Sequence, residues 1–426
     1  MTGHAPNRRA DVLLYVQHLL GIGHIRRAAV LARAFHRAGL TVVFVTGGLP
    51  VNGLHLDGIE VVQLPSARTR DESFTVILDE HDQPIDEAWK VRRRDLLLDI
   101  YRRNRPRVVM TELYPFGRRK MRFELDPLIE TARADTPPAL IACSLRDIVN
   151  RPEGAEKTAW MIDRFTRQFD LLYVHGDPRF FRLEDSFPES QAVAQRLHYT
   201  GYVTEAAQAV AAVQEAGGET GAGTGAGTGA DQPGRGEVIV SAGGGAVGAD
   251  LLRCALAARP LSPLAETPWR LLIGPNMPEA EFQAIAASAP AGVVVERARP
   301  DFAALLTRAR LSISQGGYNT VMEVLASGVP GVVVPFAGGT ETEQTQRAAV
   351  LARHDLITVV DEHGLSPATL ATGIAEALAR TQARTQARPQ DQTGARQAGT
   401  GGQAPFRLDG AEETARHLIA RLKAAA

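Results

Sequence analysis

Two side chains in the first half of the chain have the chemistry needed to move a proton. His24 closes the glycine turn Gly21-Ile22-Gly23-His24, and Glu112 follows the apolar run 108–110. An imidazole titrates near neutral pH, so His24 could take a proton from a hydroxyl group, which contributes about 10²–10⁴-fold in rate. Glu112 is the second candidate, because open α/β sheets bind ligands at the C-terminal ends of their strands. The sequence leaves open which of the two is the base. It also leaves open a helix-capping role for His24 and a salt bridge between Glu112 and the arginines that follow it.

A stretch in the second half, residues 311–347, has the residue types that bind a phosphate. An apolar strand ends in a glycine turn, and a helix follows it. Adjacent glycines let a ligand approach the backbone, and the start of a helix offers unpaired N–H groups to an anion. Thr320-x-x-Glu323 is also the spacing of a capping box, which is the alternative role for that carboxylate. The candidate binding residues at this turn are Gln315, Gly316, Gly317, Asn319, Thr320 and Glu323.

Two further segments of the second half fit the same chemistry. The turn Gly243-Gly244-Gly245 again joins a strand to a helix, and we predict a phosphate contact there, although such turns often serve only to reverse the chain. After the apolar run 332–334, polar residues begin a further helix. Thr340-x-x-Glu343 is a second capping-box spacing, so Glu343 has the same two interpretations as Glu323. The candidates in this segment are Thr342, Glu343, Gln344 and Arg347.

The elements that position these residues alternate between strand and helix. Apolar runs predict strands at 11–16, 41–45, 59–64, 107–111, 139–143, 171–175, 197–200, 237–240, 269–273, 293–295, 311–314 and 332–334. Between several of them, apolar residues recur with helical spacing, as at Ala28, Leu31, Ala32 and Phe35. This alternation is typical of parallel sheets covered by helices. The fold class is therefore α/β.

Breaks in composition divide the chain into five parts. We predict an N-terminal domain at 1–212, a glycine- and threonine-rich linker or loop at 213–236 and a C-terminal domain at 237–379. A low-complexity segment at 380–408 is predicted to be disordered, and an amphipathic helix at 409–426 ends the chain. With 426 residues, two domains of ordinary size are the expectation.

The overall composition predicts a cytoplasmic protein. The net charge of -1 gives no indication of a nucleic-acid partner, and the two cysteines are too few and too far apart for a disulfide framework or a zinc site. No apolar run reaches the roughly 18–20 residues of a membrane span, and the N-terminus lacks the apolar core of a signal peptide.

One stretch departs from this neutrality. Between Lys90 and Arg122 there are twelve basic residues against three acidic ones. Such runs are usually solvated helix faces, and the functional alternative is a patch for a phosphorylated acceptor or an anionic membrane surface. Arg146 and Asp147 follow the strand 139–143 in a position comparable to that of Glu112.

Several nucleotide-binding motifs are absent from the sequence. Arg26 occupies the position of the third glycine in the dinucleotide fingerprint, and there is no Walker A loop. There is also no Asp-x-Asp pair that would hold a divalent metal on a nucleotide-sugar. We therefore predict no metal site and no bound cofactor.

The motifs together resemble those of glycosyltransferases with the GT-B fold. The order Ser-x-Gly-Gly-x-Asn-Thr-x-x-Glu, Gly-x-Pro, Val-Pro-Phe and Glu-Gln-x-x-Arg-Ala, over 311–353, is similar to the C-terminal half of the family 28 N-acetylglucosaminyltransferases of peptidoglycan lipid intermediates. Segment 11–40 also resembles GT-B first loops, and 107–124 resembles a bacterial group of predicted glycosyltransferases.

This resemblance implies two Rossmann-like domains facing a cleft, with the acceptor on the first domain and a nucleoside-diphosphate sugar, such as a UDP-sugar, on the second. Glu323 would then hold the ribose, Gln344 the sugar and the glycine turns the diphosphate. The implied reaction moves a hexose or N-acetylhexosamine to an acceptor hydroxyl, on an acceptor that is phosphorylated or lipid-linked, with peripheral membrane contact. Gln315 stands eight residues before Glu323, where many retaining enzymes have a glutamate, which favours inversion. A sugar-nucleotide 2-epimerase and a non-catalytic nucleotide-sugar-binding regulator remain alternatives.

Overall fold

The chain forms two compact units. The computed structural model describes residues 9–69, 75–149, 154–205, 232–242, 248–337, 343–386 and 407–424. Unit 1 consists of Met1–Val203 together with Phe406–Ala426, and unit 2 consists of Thr204–Pro405. Each unit is built on one parallel sheet.

The sheet of unit 1 has seven parallel strands in the order β3-β2-β1-β4-β5-β6-β7. Most of its strands are buried apolar runs, as a parallel sheet covered on both faces requires, whereas the edge strand at 60–63 is largely exposed. They are β1 (Val12–Val16), β2 (Val42–Thr46), β3 (Glu60–Gln63), β4 (Val108–Glu112), β5 (Leu140–Arg146), β6 (Leu171–His175) and β7 (Leu197–Tyr199).

Helices cover both faces of this sheet. They are α1 (Gly23–Arg37), α2 (Glu87–Asn104), α3 (Arg122–Ala134), α4 (Ala155–Gln168) and the short α5 (Leu183–Ser186), with 3-10 turns at Arg119–Met121 and Pro188–Arg196. Side chains of β1 alternate between two cores, because successive strand residues point to opposite faces. Leu14 lies in the core that contains α1, and Tyr15 lies in the core that contains α2 and α3.

The last helix of the chain, α12 (Gly410–Ala424), belongs to unit 1. Its apolar residues Leu418 and Leu422 share the core of α1, and its Gly410 N–H donates to the Tyr202 carbonyl. A side-chain contact adds to this, since His198 stacks on His417 with ring centroids 4.0 Å apart. The amphipathic helix predicted at the end of the chain therefore packs on the unit that contains the N-terminal half of the sequence.

The sheet of unit 2 has six parallel strands in the order β10-β9-β8-β11-β12-β13. They are β8 (Val238–Ser241), β9 (Trp269–Ile273), β10 (Val293–Arg297), β11 (Leu311–Gln315), β12 (Gly331–Val334) and β13 (Thr358–Val359). The helices are α6 (Ala249–Ala258), α7 (Glu279–Ala287), α8 (Phe302–Leu306), α9 (Tyr318–Ser327), α10 (Glu343–Arg353) and α11 (Pro367–Gln386), with 3-10 turns at Arg259–Leu261 and Glu362–Gly364.

Two details differ from the sequence prediction. Helix α11 continues to Gln386, so residues 380–386 are helical where we predicted disorder. The two-residue strand β13 was not predicted, because so short a run carries no detectable period. In the described part of the chain, no helix combines the length and the apolarity needed to cross a membrane.

Candidate functional site

The strand orders place the two groups of candidate residues at equivalent points of the two sheets. In unit 1 the chain leaves β1 toward β2 on one side, while β4 pairs with β1 on the other side. In unit 2 the chain leaves β8 toward β9 on one side, while β11 pairs with β8 on the other side. Open α/β sheets form their binding crevice at such a switch point, outside the C-terminal ends of the strands.

At the switch point of unit 1, His24 and Glu112 form a hydrogen-bonded dyad. The Nδ1 atom of His24 lies 2.9 Å from Oε1 of Glu112. The carboxylate is fully buried, whereas the imidazole is 16% exposed. The imidazole is therefore the part of the dyad that a ligand can reach. The two candidates for the base, His24 and Glu112, therefore belong to the same hydrogen-bonded dyad.

The charge state of the dyad follows from its surroundings. Burial of Glu112 opposes its ionisation, but His24 and the Arg27 guanidinium outweigh burial and hold the pKa of this carboxyl well below its usual range. An ionised carboxylate only accepts hydrogen bonds, so Nδ1 of His24 carries the proton and Nε2 has the free lone pair. Burial lowers the pKa of His24 from 6.5 to about 4, against the opposing effect of Glu112. His24 is therefore neutral at pH 7 and able to accept a proton.

Arg27 is a further residue of this site that the sequence interpretation missed. It is 2% exposed and forms an ion pair with the same Oε1 atom of Glu112. It lies three residues after His24 on α1, so both side chains are on one face of the helix. This three-residue spacing on one helix is the sequence signal from which Arg27 could have been placed beside His24. The salt bridge predicted for Glu112 thus exists, but its partner comes from α1 and not from the arginines next to it in sequence.

The glycines of the first turn lie where predicted, before and at the start of α1. Gly21 precedes the helix, Gly23 is its first residue, and no side chain caps its first turn. A Cβ atom added to Gly21 would meet no described atom within 4 Å, so protein packing does not require glycine there. His24 does not cap the helix, because its Nδ1 bonds to Glu112. Whether these glycines contact a donor stays a prediction.

The basic run from Lys90 to Arg122 divides into buried and exposed members. Arg93 is fully buried and forms two hydrogen bonds to Glu124, at 2.7 and 2.9 Å. It also donates to the carbonyl oxygen of Gly47. Arg93 therefore holds together α2, α3 and the loop after β2. Its position in a charge run gave no sign of this role.

Some exposed members of the run surround a surface pocket of about 450 Å³. The pocket combines basic side chains with apolar ones, among them Val76, which is 51% exposed. Its basic lining residues are Lys90, Arg119, Lys120 and Arg122. Part of the positive charge of the basic run is thus concentrated at this pocket. Arg146 is the last residue of β5 and lies near the dyad, because its charge contributes to lowering the pKa of His24. Asp147 is buried and accepts a hydrogen bond from the Ile148 N–H.

At the switch point of unit 2, the turn after β11 leads directly into α9. Gly317 is the N-cap residue of α9, and no side chain caps the first turn. The helix also has no acidic residue in that turn, so its N–H groups and positive dipole end favour an anion. A Cβ atom added to Gly317 would meet no described atom within 4 Å. Asn319 and Thr320 are the second and third residues of the helix.

The capping-box interpretation of Glu323 is wrong. A capping box requires Thr320 at the N-cap, but the helix already begins at Tyr318, so Thr320 lies inside it. Glu323 is one turn further on and partly buried. Its carboxylate is too far along the helix to bond the N-cap N–H. The ligand-binding role of Glu323 stays a prediction.

Gln344 lies against the glycine turn. A Cβ atom on Gly316 would come within 3.1 Å of the Gln344 Cβ atom and 3.3 Å of the Pro335 Cα atom, so this turn and the loop after β12 approach closely. The Oε1 atom of Gln344 accepts the Phe336 N–H at 3.1 Å. Within the described residues, its amide nitrogen makes no hydrogen bond. That nitrogen is able to donate to a ligand.

Glu343 and Arg347 have a structural contact of their own. They are 3% and 2% exposed and form an ion pair of 2.7 Å within α10. The Arg347 guanidinium also lies 5.1 Å from the ring centroid of Tyr318, the first residue of α9. These contacts join α10 to α9. Direct donor binding by the pair stays a prediction.

The remaining candidates, Gly243, Gly244, Gly245 and Thr342, lie outside the described residues, as does Thr340 of the second capping-box spacing. Gln315 ends β11 and is 8% exposed. The described residues contain no group of three or more His, Cys, Asp or Glu side chains that could hold a metal ion.

Comparison with known proteins agrees with this architecture. Residues 239–399 match the glycosyltransferase family 28 C-terminal domain. A UDP-N-acetylglucosamine–N-acetylmuramyl-(pentapeptide) pyrophosphoryl-undecaprenol N-acetylglucosamine transferase of Exiguobacterium is 30% identical over 142 residues, which are 33% of this chain and 39% of the relative. The protein of the same name from Rhodopseudomonas palustris is 36% identical over 74 residues, 17% of this chain and 20% of the relative. These matches span well under half of each relative.

Solved structures match over nearly the whole chain. MurG of Acinetobacter baumannii superposes with a TM-score of 0.54 at 17% identity, covering 96% of this chain and 99% of that one. UGT89C1 of Arabidopsis thaliana, crystallised with UDP, gives a TM-score of 0.60 at 13% identity, covering 97% and 100%. The two Rossmann-like units therefore define a protein of the GT-B fold. More particularly, the chain is similar to the family 28 glycosyltransferases, whose C-terminal domain its second unit matches.

Proposed function

We propose that this protein is a glycosyltransferase. It moves a hexose or N-acetylhexosamine from a nucleoside-diphosphate sugar, such as a UDP-sugar, to an acceptor hydroxyl. The single observation that carries the proposal is the His24–Glu112 dyad at the switch point of a sheet with the GT-B topology. The family 28 match of unit 2 supports the nucleotide-sugar donor.

In the proposed reaction, unit 1 activates the acceptor. The Nε2 atom of His24 takes the proton of the acceptor hydroxyl, and the buried Glu112 carboxylate stabilises the imidazolium that forms. The hydroxyl oxygen forms a bond to the anomeric carbon as the bond from that carbon to the diphosphate breaks. The diphosphate leaves with the bonding electron pair. A single displacement of this kind inverts the anomeric configuration.

Unit 2 binds the donor in this proposal. The uncapped start of α9 with Gly316 and Gly317 contacts the diphosphate, together with the turn at 243–245. Glu323 accepts from the ribose hydroxyls, and the Gln344 amide donates to the sugar. Helix N–H groups stabilise the departing diphosphate, so the reaction needs no metal. We assign the Glu343–Arg347 pair to holding α10 against α9.

The acceptor in this proposal is phosphorylated or lipid-linked, and the protein is cytoplasmic with peripheral membrane contact. Two observations support this. The curated relatives are named for a pyrophosphoryl-undecaprenol acceptor. The pocket lined by four basic residues and the exposed Val76 has the charge and apolar surface that an anionic lipid layer attracts.

Calorimetry with UDP tests the donor site. We expect the full chain to bind UDP and Glu323→Ala to weaken binding by about 1.5–3 kcal/mol, the range for a hydrogen bond to a charged group. Glu376→Ala, at an exposed position of α11 in the same unit, is the matched control. Unchanged affinity in Glu323→Ala would contradict the assignment.

A second variant separates binding from chemistry. His24→Ala should bind UDP as the wild type does and lose about 10²–10⁴-fold in transfer rate, because the base is gone while the donor unit is intact. The readout is release of UDP from UDP-sugars with a panel of hydroxyl acceptors. Full transfer by His24→Ala would refute the dyad as the base.

A further inference from the structure

Arg118 occupies an unusual position beside the dyad. It ends the loop after β4 with φ at +55°, and Leu113 at the start of that loop has φ at +70°. Two non-glycine residues in the left-handed region cost of order 1–2 kcal/mol each, and such strain clusters at functional sites. Gly117 permits the bend, because a Cβ atom there would lie 2.5 Å from a Leu113 methyl group.

The rest of the loop is firmly held. The Thr111 hydroxyl donates to the Tyr114 carbonyl at 2.8 Å, and the Gly117 N–H donates to the Leu113 carbonyl at 2.9 Å. Tyr114 and Phe116 are buried in the core of unit 1. The strained conformation of Arg118 is therefore imposed by a rigid loop.

This loop carries the Arg118 guanidinium to the C-terminal end of β1. Its Nε donates to the Gln17 carbonyl at 2.7 Å, directly after β1. Its charge acts on Glu112, on His24 and on His18, lowering the pKa of both histidines. Arg118 thus lies among the residues that surround the proposed base.

The charge of Arg118 is only partly balanced, through the attraction of the Glu112 carboxylate. Within the described residues it forms no ion pair, and its hydrogen-bond partner is a neutral carbonyl. The nearby carboxylate of Glu112 is already engaged by Arg27 and His24. Burial lowers the pKa of Arg118 below that of an ordinary arginine, and the repulsion of Arg146 and Arg27 adds to this against the opposing attraction of Glu112. A partly desolvated cation that forms no ion pair among the described residues favours binding of an anion.

The neighbouring helix end adds to this preference. The first turn of α1 has no acidic residue and no capping side chain, and it contains the basic residue Arg26. Basic residues at a helix N-terminus oppose the helix dipole, which costs stability unless an anion lies nearby. Two elements therefore present positive charge at the same end of the sheet.

We propose that Arg118 forms an anion subsite that binds a phosphate or carboxylate group of the acceptor next to the hydroxyl that His24 deprotonates. This inference rests on the proposed function. It adds a coupling between binding and chemistry, since a bound anion offsets the positive charge that weakens His24 as a base. An anionic acceptor thus raises the basicity of His24 when it binds, and a neutral acceptor does not.

The experiment measures the titration of His24 by NMR in full-length protein labelled at the histidine rings, with His24→Gln assigning the signal. Inorganic phosphate and acetate are added in separate titrations, and chloride at equal ionic strength is the baseline. We expect phosphate, acetate or both to raise the His24 pKa by about one unit, the low end for one charge at close range. The anion that acts identifies the group carried by the acceptor.

Three variants make the result specific. Arg118→Gln should raise the His24 pKa in chloride, because a positive charge is removed, and should abolish the response to added anions. Arg118→Lys keeps the charge and should keep the response. Arg103→Gln, at an exposed arginine of the same basic run in the last turn of α2, should behave as the wild type.

The outcomes separate the subsite from the proposed function, because the titration requires no transfer. A wild type that responds to neither anion, or an Arg118→Gln variant that responds fully, overturns the subsite. A response that depends on Arg118 supports the subsite even if no glycosyl transfer is found. Transfer to anionic acceptors at equal rates in wild type and Arg118→Gln overturns the subsite and leaves the proposed function standing.

Discussion

Replacing Glu112 by Gln tests the dyad most directly. The change preserves the shape of the side chain and removes its charge, so the buried Arg27 guanidinium loses this carboxylate. Neutralising one partner of a buried ion pair costs about 3–5 kcal/mol. We expect the free energy of unfolding at pH 7, measured by urea denaturation, to fall by that amount.

The same variant should change His24. The Glu112 charge and hydrogen bond raise the pKa of His24 and partly offset burial. Without them, the pKa of His24 should fall further below about 4. The measurement is an NMR titration of the labelled imidazole. Transfer activity should fall by about 10²–10⁴-fold, because the imidazolium is no longer stabilised.

Glu124→Gln is the matched control. Glu124 is also fully buried and ion-paired with a buried arginine, Arg93, but it does not touch His24. The Glu124→Gln variant should lose a similar free energy of unfolding, and the pKa of His24 in the NMR titration should stay unchanged. The dyad would be refuted if Glu112→Gln left that titration unchanged, or if both variants moved it equally.

Three further predictions concern the glycine turn of unit 2, the titration of His24 and the proposed metal-independent reaction. Gly316→Ala brings a methyl group within 3.1 Å of Gln344 and should weaken UDP binding in calorimetry, with a stability loss of about 1–2 kcal/mol; unaltered affinity would show that the turn does not contact the donor. The pKa of His24 is lowered from 6.5 to about 4, so its contribution to stability is complete above pH 6.5 and is lost as the pH falls toward 4, about 3 kcal/mol by linkage. Urea denaturation of His24→Gln should show a correspondingly weaker pH dependence in that window, and an identical slope would contradict the shift. EDTA should leave UDP-sugar turnover unchanged, whereas a loss restored by Mg²⁺ would refute metal-independent transfer.

Much of the fold could be predicted because local patterns carry it. Apolar runs of three to six residues, alternating with helical spacing, indicate parallel strands and covering helices without knowledge of their partners. Glycine turns mark strand-to-helix junctions, since only glycine tolerates a close approach such as that of Gly316 to Pro335. The sequence therefore determined the α/β class, most element positions and the residues at the sheet ends.

The tertiary structure decided how these residues combine. His24 and Glu112 are 88 positions apart, and they meet because β4 pairs with β1 at the switch point, a strand order that no local pattern encodes. Arg93 and Arg118 belong to one charge run, yet one is buried against Glu124 and the other is carried to the dyad. Partner and burial depend on the packing of distant elements, so charge alone could not separate their roles.

The first residue of α9 also depended on the tertiary structure. Thr320 and Glu323 have the spacing of a capping box, but β11 and its glycine turn fix the first helical residue at Tyr318. The sequence thus supplied the chemical groups and their order along each element. Which groups face one another, and in which charge state, was decided by strand pairing and burial, because both depend on contacts between residues far apart in the chain.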